Sequence, residues 1–432
     1  MGISTVFDDL IGDYDKELDH SGIQGDRIAK RLHALSEIGY TEPGGVRRPG
    51  LSAEEKQAKQ LVKSWMEEAG LEVREDGAGN VFGTLAGKTA GPAIASGSHL
   101  DSVPNGGNFD GPLGVLSALE VAEAWKESGF IPDKPYEVVI FTDEEGSRFN
   151  SGLTGSRAMT GDIAEDEIKQ LRDSNGEGLE AVLESYGSSL DAFQNSVRDL
   201  SELELFVEVH IEQGTRLEQE DEPVGIVSGI AGPAWIQVEF SGQAGHAGNT
   251  PMVGRTDSLV AAGEFVSRLP ELPPAVSETA VATVGKLDVS PNGINVIPER
   301  VILHVDARDI HLEPRDLLVE RVESLAEEVA AKHGVALRMQ QNTSIVPVPI
   351  ADELQQELAD VLELQGIKPV RIPSGAGHDA MILGRHIPVA MLFVRSKDGI
   401  SHNPKEWSSL ADCVQGVHVL KAFIEARMKK SE

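Results

Sequence analysis

The chain has 432 residues, of which 38 are Lys or Arg and 70 are Asp or Glu, so its formal net charge is −32 with neutral histidines. This charge repels nucleic-acid phosphates and anionic lipids, so we expect neither a nucleic-acid partner nor a membrane-surface role. A hydrophobic content of 40% and a charged content of 25% are typical of an ordinary globular protein and exclude a disordered one.

The cellular compartment is indicated by the single cysteine and by the N-terminal residues. Cys413 has no second cysteine with which to form an internal disulfide, which favours a reducing environment. The N-terminal segment carries acids where a signal peptide carries bases, and it lacks an apolar region. No stretch approaches the roughly 20 apolar residues of a membrane span. We therefore expect a cytoplasmic protein.

The first half of the chain has the pattern of an α/β domain. Helices are predicted at 26–38 and at 112–126, and another begins at 51–55 with a capping box formed by Ser52 and Glu55 and runs to the helix stop at Gly70. Strands are predicted at 71–74, 80–85, 93–99, 137–142 and 205–211, with an acidic, mostly helical stretch at 161–203 before the last of them. Alternating strands and helices favour a largely parallel sheet.

A break at 229–233 leads into a segment of different character. Strand 234–240, helix 255–269, strands 279–287 and 300–308, helix 314–333 and strand 336–340 follow in the β-α-β-β-α-β order of ferredoxin-like domains. Helix 353–365, strand 388–394 and helix 410–429 then resume the first pattern. We therefore predict a catalytic domain in two pieces, 1–232 and 345–432, interrupted by a smaller α+β domain at 233–344.

Chemistry-bearing side chains follow the predicted strands of the larger domain, where ligands bind in open α/β sheets. They are His99 and Asp101, then Asp110, then Asp143, Glu144 and Glu145, then His210, and finally His402. Taken alone, Asp110 is also explained as a helix N-cap, and the three successive acids as a solvated loop. Together, imidazoles and carboxylates form a ligand set that suits divalent transition metals, and a carboxylate beside such a metal is typical of hydrolysis. The residues alone thus predict a metallohydrolase.

Short motifs along the whole chain make the sequence similar to one family. They are Gly-Ser-His99-Leu-Asp101-Ser, Asn-Phe-Asp110-Gly, Asp-Glu144-Glu145-Gly-Ser-Arg-Phe, His210-Ile-Glu-Gln213-Gly, Gly-His246-Ala-Gly-Asn-Thr-Pro-Met, Asn295-Val-Ile-Pro, Asp306-Ala-Arg308-Asp, Gly375-Ala-Gly-His378-Asp379 and Ile-Ser-His402-Asn-Pro. The chain resembles the hydantoinase/carbamoylase branch of the M20 amidohydrolases, and within it the N-carbamoyl-L-amino-acid hydrolases.

The resemblance implies a role for each matching residue. Asp110 would bridge two divalent ions (Zn, Mn, Co or Ni), and His99 with His210 would complete one ligand set. Glu145 with His402 would complete the other. Asp101 would orient His99, and Glu144 would be the general base. The substrate would contact Gln213, His246, Asn295, Arg308 and Gly375, with His246 also serving catalysis.

The resemblance also implies a substrate class and an assembly. The substrate would be a small ureido acid, an N-carbamoyl-L-amino acid, and the inserted domain would form a homodimer and a lid. Arg308 offers a planar fork for the substrate carboxylate, although a salt bridge to Asp306 or Asp309 explains the same residue. Allantoate or ureidoglycolate hydrolysis and β-ureidopropionase activity stay open, as do aminoacylase or dipeptidase activity and a binding role without turnover.

Overall fold

The computed structural model describes residues 6–42 and 44–429, and the chain divides into two compact units. The first unit comprises the chain up to Val227, Ile350–Ile372 and the residues from His378 onward. The second comprises Ser228–Pro349 and Pro373–Gly377, so a short late segment joins the inserted part. The first five residues, part of the segment judged to lack a signal peptide, lie outside the described residues.

Strands and helices alternate along most of the chain. The strands are β1 Tyr40–Thr41, β2 Gly45–Val46, β3 Glu72–Glu75, β4 Val81–Leu85, β5 Ala93–His99, β6 Tyr136–Phe141, β7 Leu203–Ile211, β8 Val224–Ile230, β9 Gly232–Ser241, β10 Gly245–His246, β11 Val281–Ser290, β12 Val296–Ile297, β13 Arg300–Asp309, β14 Ala336–Ser344, β15 Val348–Pro349, β16 Arg371–Ser374 and β17 Val389–Val394. The helices are α1 Val6–Ile11, α2 Gly25–Ser36, α3 Ala53–Ala69, α4 Pro112–Ser128, α5 Thr154–Thr160, α6 Glu165–Gln170, α7 Leu179–Tyr186, α8 Leu190–Gln194, α9 Arg216–Glu220, α10 Ser258–Arg268, α11 Leu312–His333, α12 Asp352–Leu364, α13 Asp379–Leu383 and α14 Leu410–Lys429. Among the described residues, no helix is long and apolar enough to cross a membrane.

The first unit is organised by a mixed sheet in the order β8-β17-β7-β5-β6-β4-β3. The inner strands β17, β7, β5 and β6 pair in parallel, whereas β8, β4 and β3 pair antiparallel toward the edges. Every residue of β5, β6 and β17 is buried, which is typical of strands covered on both faces. The predicted α/β fold is confirmed, and parallel pairing joins the four inner strands. Their carboxyl ends therefore meet at one edge.

The second unit has a four-stranded antiparallel sheet in the order β11-β13-β9-β14. Along β9 the buried residues alternate with less buried ones, so one face of the sheet carries the apolar core. That core includes Phe240, Val305, Phe265 of α10 and Leu318 of α11. The arrangement is the predicted ferredoxin-like one, with both helices contributing to one core.

Helix α3 contains a buried ion pair, and its Lys59 also joins the helix to the end of β6. Ser52 caps the helix and accepts the N–H of Glu55 at 3.1 Å. The Glu55 carboxylate accepts the N–H of Leu51, one residue before the position a capping box requires, because its other oxygen lies 2.7 Å from Lys59. Lys59 also donates to Thr142 Oγ1 at 2.7 Å. The helix start therefore supports the loop that begins directly after Thr142.

Candidate metal centre

The five predicted metal ligands of the first unit lie together at the carboxyl edge of the parallel strands. They are His99 at the end of β5, Asp110 before α4, Glu145 after β6, His210 on β7 and His402 after β17. Their ligand atoms form two groups, and within each group these atoms lie within 4.8 Å of one another. Parallel pairing of β17, β7, β5 and β6 is the reason that distant parts of the chain meet here.

The first group consists of His99, Asp110 and His210, all of them buried. Asp110 Oδ1 lies 3.5 Å from His99 Nε2 and 3.1 Å from His210 Nε2. Each imidazole directs Nδ1 to a backbone carbonyl, that of Asp101 at 3.1 Å and that of Ile211 at 3.0 Å. A carbonyl only accepts, so Nδ1 carries a proton, and in the neutral ring Nε2 is then the nitrogen with the lone pair for a metal ion. His99 Nε2 is buried without a hydrogen-bond partner, which fits a metal cation at this position.

The second group consists of Asp110, Glu145 and His402. His402 Nε2 lies 3.3 Å from Glu145 Oε2 and 3.6 Å from Asp110 Oδ2. Asp110 thus directs one oxygen to each group, as a bridging carboxylate does. The His402 side chain is 51% exposed, whereas the histidines of the first group are buried. The donor set of each group fits a divalent transition metal.

Asp110 does not act as the ordinary helix cap that its sequence position also allowed. The N-cap of α4 is Gly111, whose φ of 84° disfavours other residues, and Pro112 follows as the first helical residue. The Asp110 carboxylate instead accepts hydrogen bonds at Oδ2 from Gln213 Nε2 and Ser401 Oγ, both at 2.7 Å. Its position therefore serves the ligand groups.

Asp101 connects the His99 strand with the loop after β6. Its two carboxylate oxygens accept the backbone N–H groups of Glu144 and Glu145, each at 3.1 Å. One of them also lies 3.5 Å from His99 Nδ1. The two glutamate side chains then diverge, since Glu144 Oε2 lies 3.6 Å from His99 Nε2 while Glu145 faces His402. Adjacent acids thus address different parts of the centre.

Burial makes the ionised acids of the centre costly without a cation. It raises the pKa of Glu145 to about 8, with the Asp110 carboxylate as the next cause. It also raises the pKa of Glu144 well above its ordinary value. Burial alone would lower the pKa of His99, but nearby carboxylates, Glu144 foremost, outweigh it and raise that pKa. Divalent cations would stabilise these carboxylates in their ionised form.

Several polar residues at the centre were not assigned a role from the sequence. Glu406 accepts the N–H groups of Phe109 and Asp110, and Ser401 donates to Asp110. The ring of His378 packs on that of His210 with centroids 4.5 Å apart. Their positions in the sequence were a partial indication of a role at the centre. Ser401 and Glu406 lie on either side of His402, and His378 belongs to the Gly375-Ala-Gly-His378-Asp379 motif. The sequence pattern alone does not distinguish such residues from the polar residues of a solvent-exposed loop.

The other predicted substrate residues, Gln213 apart, belong to the second unit. His246 lies on β10, which pairs with β12, and Ala247 N donates to the carbonyl of Asn295 at 2.9 Å. His246 Nδ1 accepts the N–H groups of Gly248 and Asn249 at 3.1 and 3.2 Å. Because Nδ1 accepts, the ring proton is on Nε2, which makes the exposed side of His246 a hydrogen-bond donor.

Arg308 and Gly375 are in contact. Arg308 Nη1 donates to the Gly375 carbonyl at 2.5 Å, while Nε and Nη2 donate to the two oxygens of Asp306 at 2.8 and 2.6 Å. The salt bridge considered as the alternative explanation is thus present, and it fixes the plane of the guanidinium. The guanidinium retains further N–H groups with which to bind another acceptor.

Three comparisons with known proteins bear on the centre. Residues 95–426 match the sequence model of the peptidase family M20/M25/M40. An N-carbamoyl-L-amino acid amidohydrolase from Geobacillus stearothermophilus is 43% identical over 92% of this chain and 97% of its own. An allantoate amidohydrolase from Bacillus subtilis is 36% identical over 91% of this chain and 95% of its own. The crystal structure of a hydantoinase/carbamoylase family amidase from Burkholderia multivorans is similar with a TM-score of 0.88, at 34% identity over 94% of this chain and 98% of that one.

We predict that metal binding releases protons and strengthens as the pH rises from 6 to 8. Glu145 has a pKa of about 8 in the metal-free protein, so it is mostly protonated at pH 6 and a metal ion must displace its proton. Each proton released makes the affinity rise by about tenfold per pH unit below that pKa. Titration calorimetry with Mn²⁺ in two buffers of different ionisation enthalpy counts these protons. Glu145→Gln should release fewer protons at pH 6, and an affinity independent of pH would contradict the prediction.

Proposed function

Because the chain belongs to the M20/M25/M40 peptidase family and is an amidohydrolase, we propose that it hydrolyses the ureido C–N bond of N-carbamoyl-L-amino acids with two divalent ions. The observation that carries the proposal is the Asp110 carboxylate, whose oxygens face two separate groups of imidazole and carboxylate ligands. Similarity to a carbamoyl-amino-acid amidohydrolase along nearly the whole chain supports this substrate class.

The proposed chemistry depends on both ligand groups. His99, Asp110, His210, Glu145 and His402 would hold two divalent ions, whose chemistry would be to polarise the ureido carbonyl and lower the pKa of water. Such activation is needed because resonance protects a ureido carbonyl from neutral water. Hydrolysis then yields the L-amino acid and a carbamate, which breaks down to carbon dioxide and ammonia.

Glu144 is the proposed general base. Its Oε2 lies 3.6 Å from His99 Nε2, next to the first ligand group, while the neighbouring Glu145 is turned toward His402. In this role Glu144 takes a proton from the attacking water and returns it to the leaving nitrogen. A pKa raised well above the ordinary value by burial favours a carboxylate that can hold a proton between these steps.

Residues of the second unit are proposed to bind the substrate. Arg308, oriented by Asp306 and by the Gly375 carbonyl, would pair with the substrate carboxylate. His246 would donate from Nε2 to the oxyanion that develops during attack. Asn295, together with Gln213 of the first unit, would donate or accept hydrogen bonds to the remaining polar groups of the substrate.

Allantoate hydrolysis is the second candidate, because an allantoate amidohydrolase is 36% identical to this chain. Allantoate and ureidoglycolate also carry a carboxylate and a ureido group, so the same residues would bind them. N-Carbamoyl-β-alanine, the substrate of β-ureidopropionases, differs only in the spacing of its two groups. N-Acyl amino acids and dipeptides are less favoured substrates, because their scissile carbonyl is bonded to carbon where a ureido group has a second nitrogen.

A substrate panel on the purified chain tests the proposed function. We expect chelation to abolish activity, Mn, Co, Ni or Zn to restore it, and N-carbamoyl-L-amino acids to give the highest kcat/KM. An N-carbamoyl-L-amino acid amide lacks the carboxylate for Arg308 and should lose about 10- to 100-fold, the range for one charge-assisted hydrogen-bond pair. A preference for allantoate would establish the second candidate, and full activity without metal would overturn the mechanism.

The roles of Glu144 and Glu145 can be separated by matched substitutions. Glu144→Gln removes a base and keeps the shape, so the metal content should persist while kcat falls by at least about 10²- to 10⁴-fold. Glu145→Gln should lose one metal ion per chain instead. Elemental analysis of gel-filtered protein measures the metal content beside the rate. If Glu144→Gln loses the metal and Glu145→Gln keeps it, the two roles are reversed.

We also propose a homodimer formed through the second unit. Met252, Val253 and Ile294 are largely exposed apolar residues in the loops next to His246 and Asn295. Exposed apolar residues in one region favour a protein–protein contact. In a two-fold dimer each contact occurs twice, and His246 would then serve the metal centre of the partner subunit.

Mixed dimers test this assignment of His246. We expect His246→Ala and Glu144→Gln to be inactive alone and to recover activity when co-expressed, because one site of a mixed dimer has both residues intact. Random pairing at equal amounts leaves about a quarter of all sites whole, so up to about a quarter of wild-type activity should return. Two affinity tags isolate the mixed dimers. No recovery in that fraction would assign His246 to the site of its own subunit or to none.

A further inference from the structure

The Glu406 carboxylate is buried between the Asp110 loop and the His402 loop, with 3% of the residue exposed. Its Oε1 accepts the backbone N–H groups of Phe109 at 2.8 Å and of Asp110 at 3.0 Å. The loop before α4 wraps closely around this side chain, since a Cβ on Gly107 would come within 2.2 Å of the carboxylate. A side chain at residue 107 and the Glu406 carboxylate therefore exclude each other.

The second oxygen of Glu406 reaches the Asp110 side chain through Ser401. Ser401 Oγ lies 3.0 Å from Glu406 Oε2 and 2.7 Å from Asp110 Oδ2. One carboxylate thus contacts the main chain of Asp110 directly and its ligand oxygen through one hydroxyl. Asp110 Oδ2 is the oxygen that faces Glu145 and His402.

The two ligand groups differ in how far they depend on this contact. His99 and His210 are buried at the ends of paired strands, and a backbone carbonyl holds each Nδ1. His402 lies in a loop with φ of 54° and a half-exposed side chain. Its neighbour Ser401 and Glu406, four residues on, connect this loop to Asp110. Geometry at the second group therefore relies on the Glu406 contacts more than geometry at the first.

We propose that Glu406 is a positioning residue for the second ligand group, formed by Asp110, Glu145 and His402, and that it acts through Ser401 and the Asp110 backbone. The inference rests on the proposed two-ion centre but not on the proposed substrate. Partners of metal ligands typically contribute 10- to 100-fold to metal affinity. Loss of the Glu406 contacts should therefore lower the affinity for the ion of the second group and leave the affinity for the other ion unchanged.

Metal affinity measured without substrate tests the proposal. Glu406→Met keeps the size of the side chain and removes both acceptor oxygens. We expect this variant to bind the ion of the second ligand group about 10- to 100-fold less tightly in a chelator competition with Mn²⁺. Glu406→Gln keeps an acceptor for the two backbone N–H groups and a polar group facing Ser401, so it should retain both ions. Ser401→Ala should give an intermediate loss. Equal affinities in Glu406→Met and wild type would overturn the proposal.

A matched control distinguishes positioning from general destabilisation. Glu212 is also a buried carboxylate at a strand end, and it accepts two backbone N–H groups, those of Arg216 at 2.6 Å and Leu217 at 2.9 Å. Glu212→Met should lower the thermal stability and keep both ions. Should Glu406→Met unfold, Ser401→Ala carries the test, and wild-type affinity in Ser401→Ala overturns the proposal.

A double variant identifies the affected ion. Glu145→Gln already removes a ligand of the second group, so adding Glu406→Met to it should leave the affinity for the remaining ion unchanged. A further loss of that ion would show that Glu406 supports both groups equally, which contradicts the proposal. If wild type binds two ions and hydrolyses no carbamoyl substrate, the proposed function fails while the role of Glu406 is still tested.

Discussion

The rest of the centre depends on one carboxylate that serves two ligand groups at once. Asp110 can direct Oδ1 to the buried histidines and Oδ2 to His402 only if its position and rotation are both fixed. Gln213, in the loop after β7, and Ser401 and Glu406, both in the loop after β17, supply these constraints. The parallel inner strands bring those loops to one edge of the sheet. The position of Asp110, and with it the chemistry of the site, therefore depends on the sheet topology.

The acidic residues at this edge of the sheet repel one another, and two buried cations near them offset part of this repulsion. Arg48 donates to the carbonyl of Leu100, the residue between His99 and Asp101, at 2.8 Å. Lys59 donates to Thr142, directly before the Asp143–Glu145 acids, and pairs with Glu55. Both cations are about 1% exposed, so their attraction for the acids is weakly screened. These buried cations, together with the divalent ions proposed for the centre, would let a protein of net charge −32 hold a dense acidic site.

Sequence reasoning predicted the elements and residues whose pattern is local. The bounds of β5 and α14 were predicted to the residue, and the five candidate ligands lie in or after the strands β5, β6, β7 and β17, where their side chains form two groups. Strand β8 was missed, because Gly225 and Gly229 interrupt its apolar run and resemble a turn. Glu406 was not assigned a role, because its partners at Phe109 and Asp110 are almost 300 residues away and only the folded chain brings them together. What pattern cannot predict here is long-range hydrogen bonding.

Backbone strain has the same location as the chemistry. Positive φ values occur in the loops after β6, β7 and β17, at Asp143 (54°), Gln213 (56°) and His402 (54°). Residues other than glycine rarely adopt this left-handed backbone conformation. Such residues cost of order 1–3 kcal/mol each and persist where surrounding contacts overdetermine them. Those contacts are present, since Thr154 holds Asp143 and Ser401 holds the loop of His402 to Asp110. The surrounding contacts therefore support turns that a free chain would avoid, and one of these turns carries His402, whose Nε2 lies 3.3 Å from Glu145 Oε2.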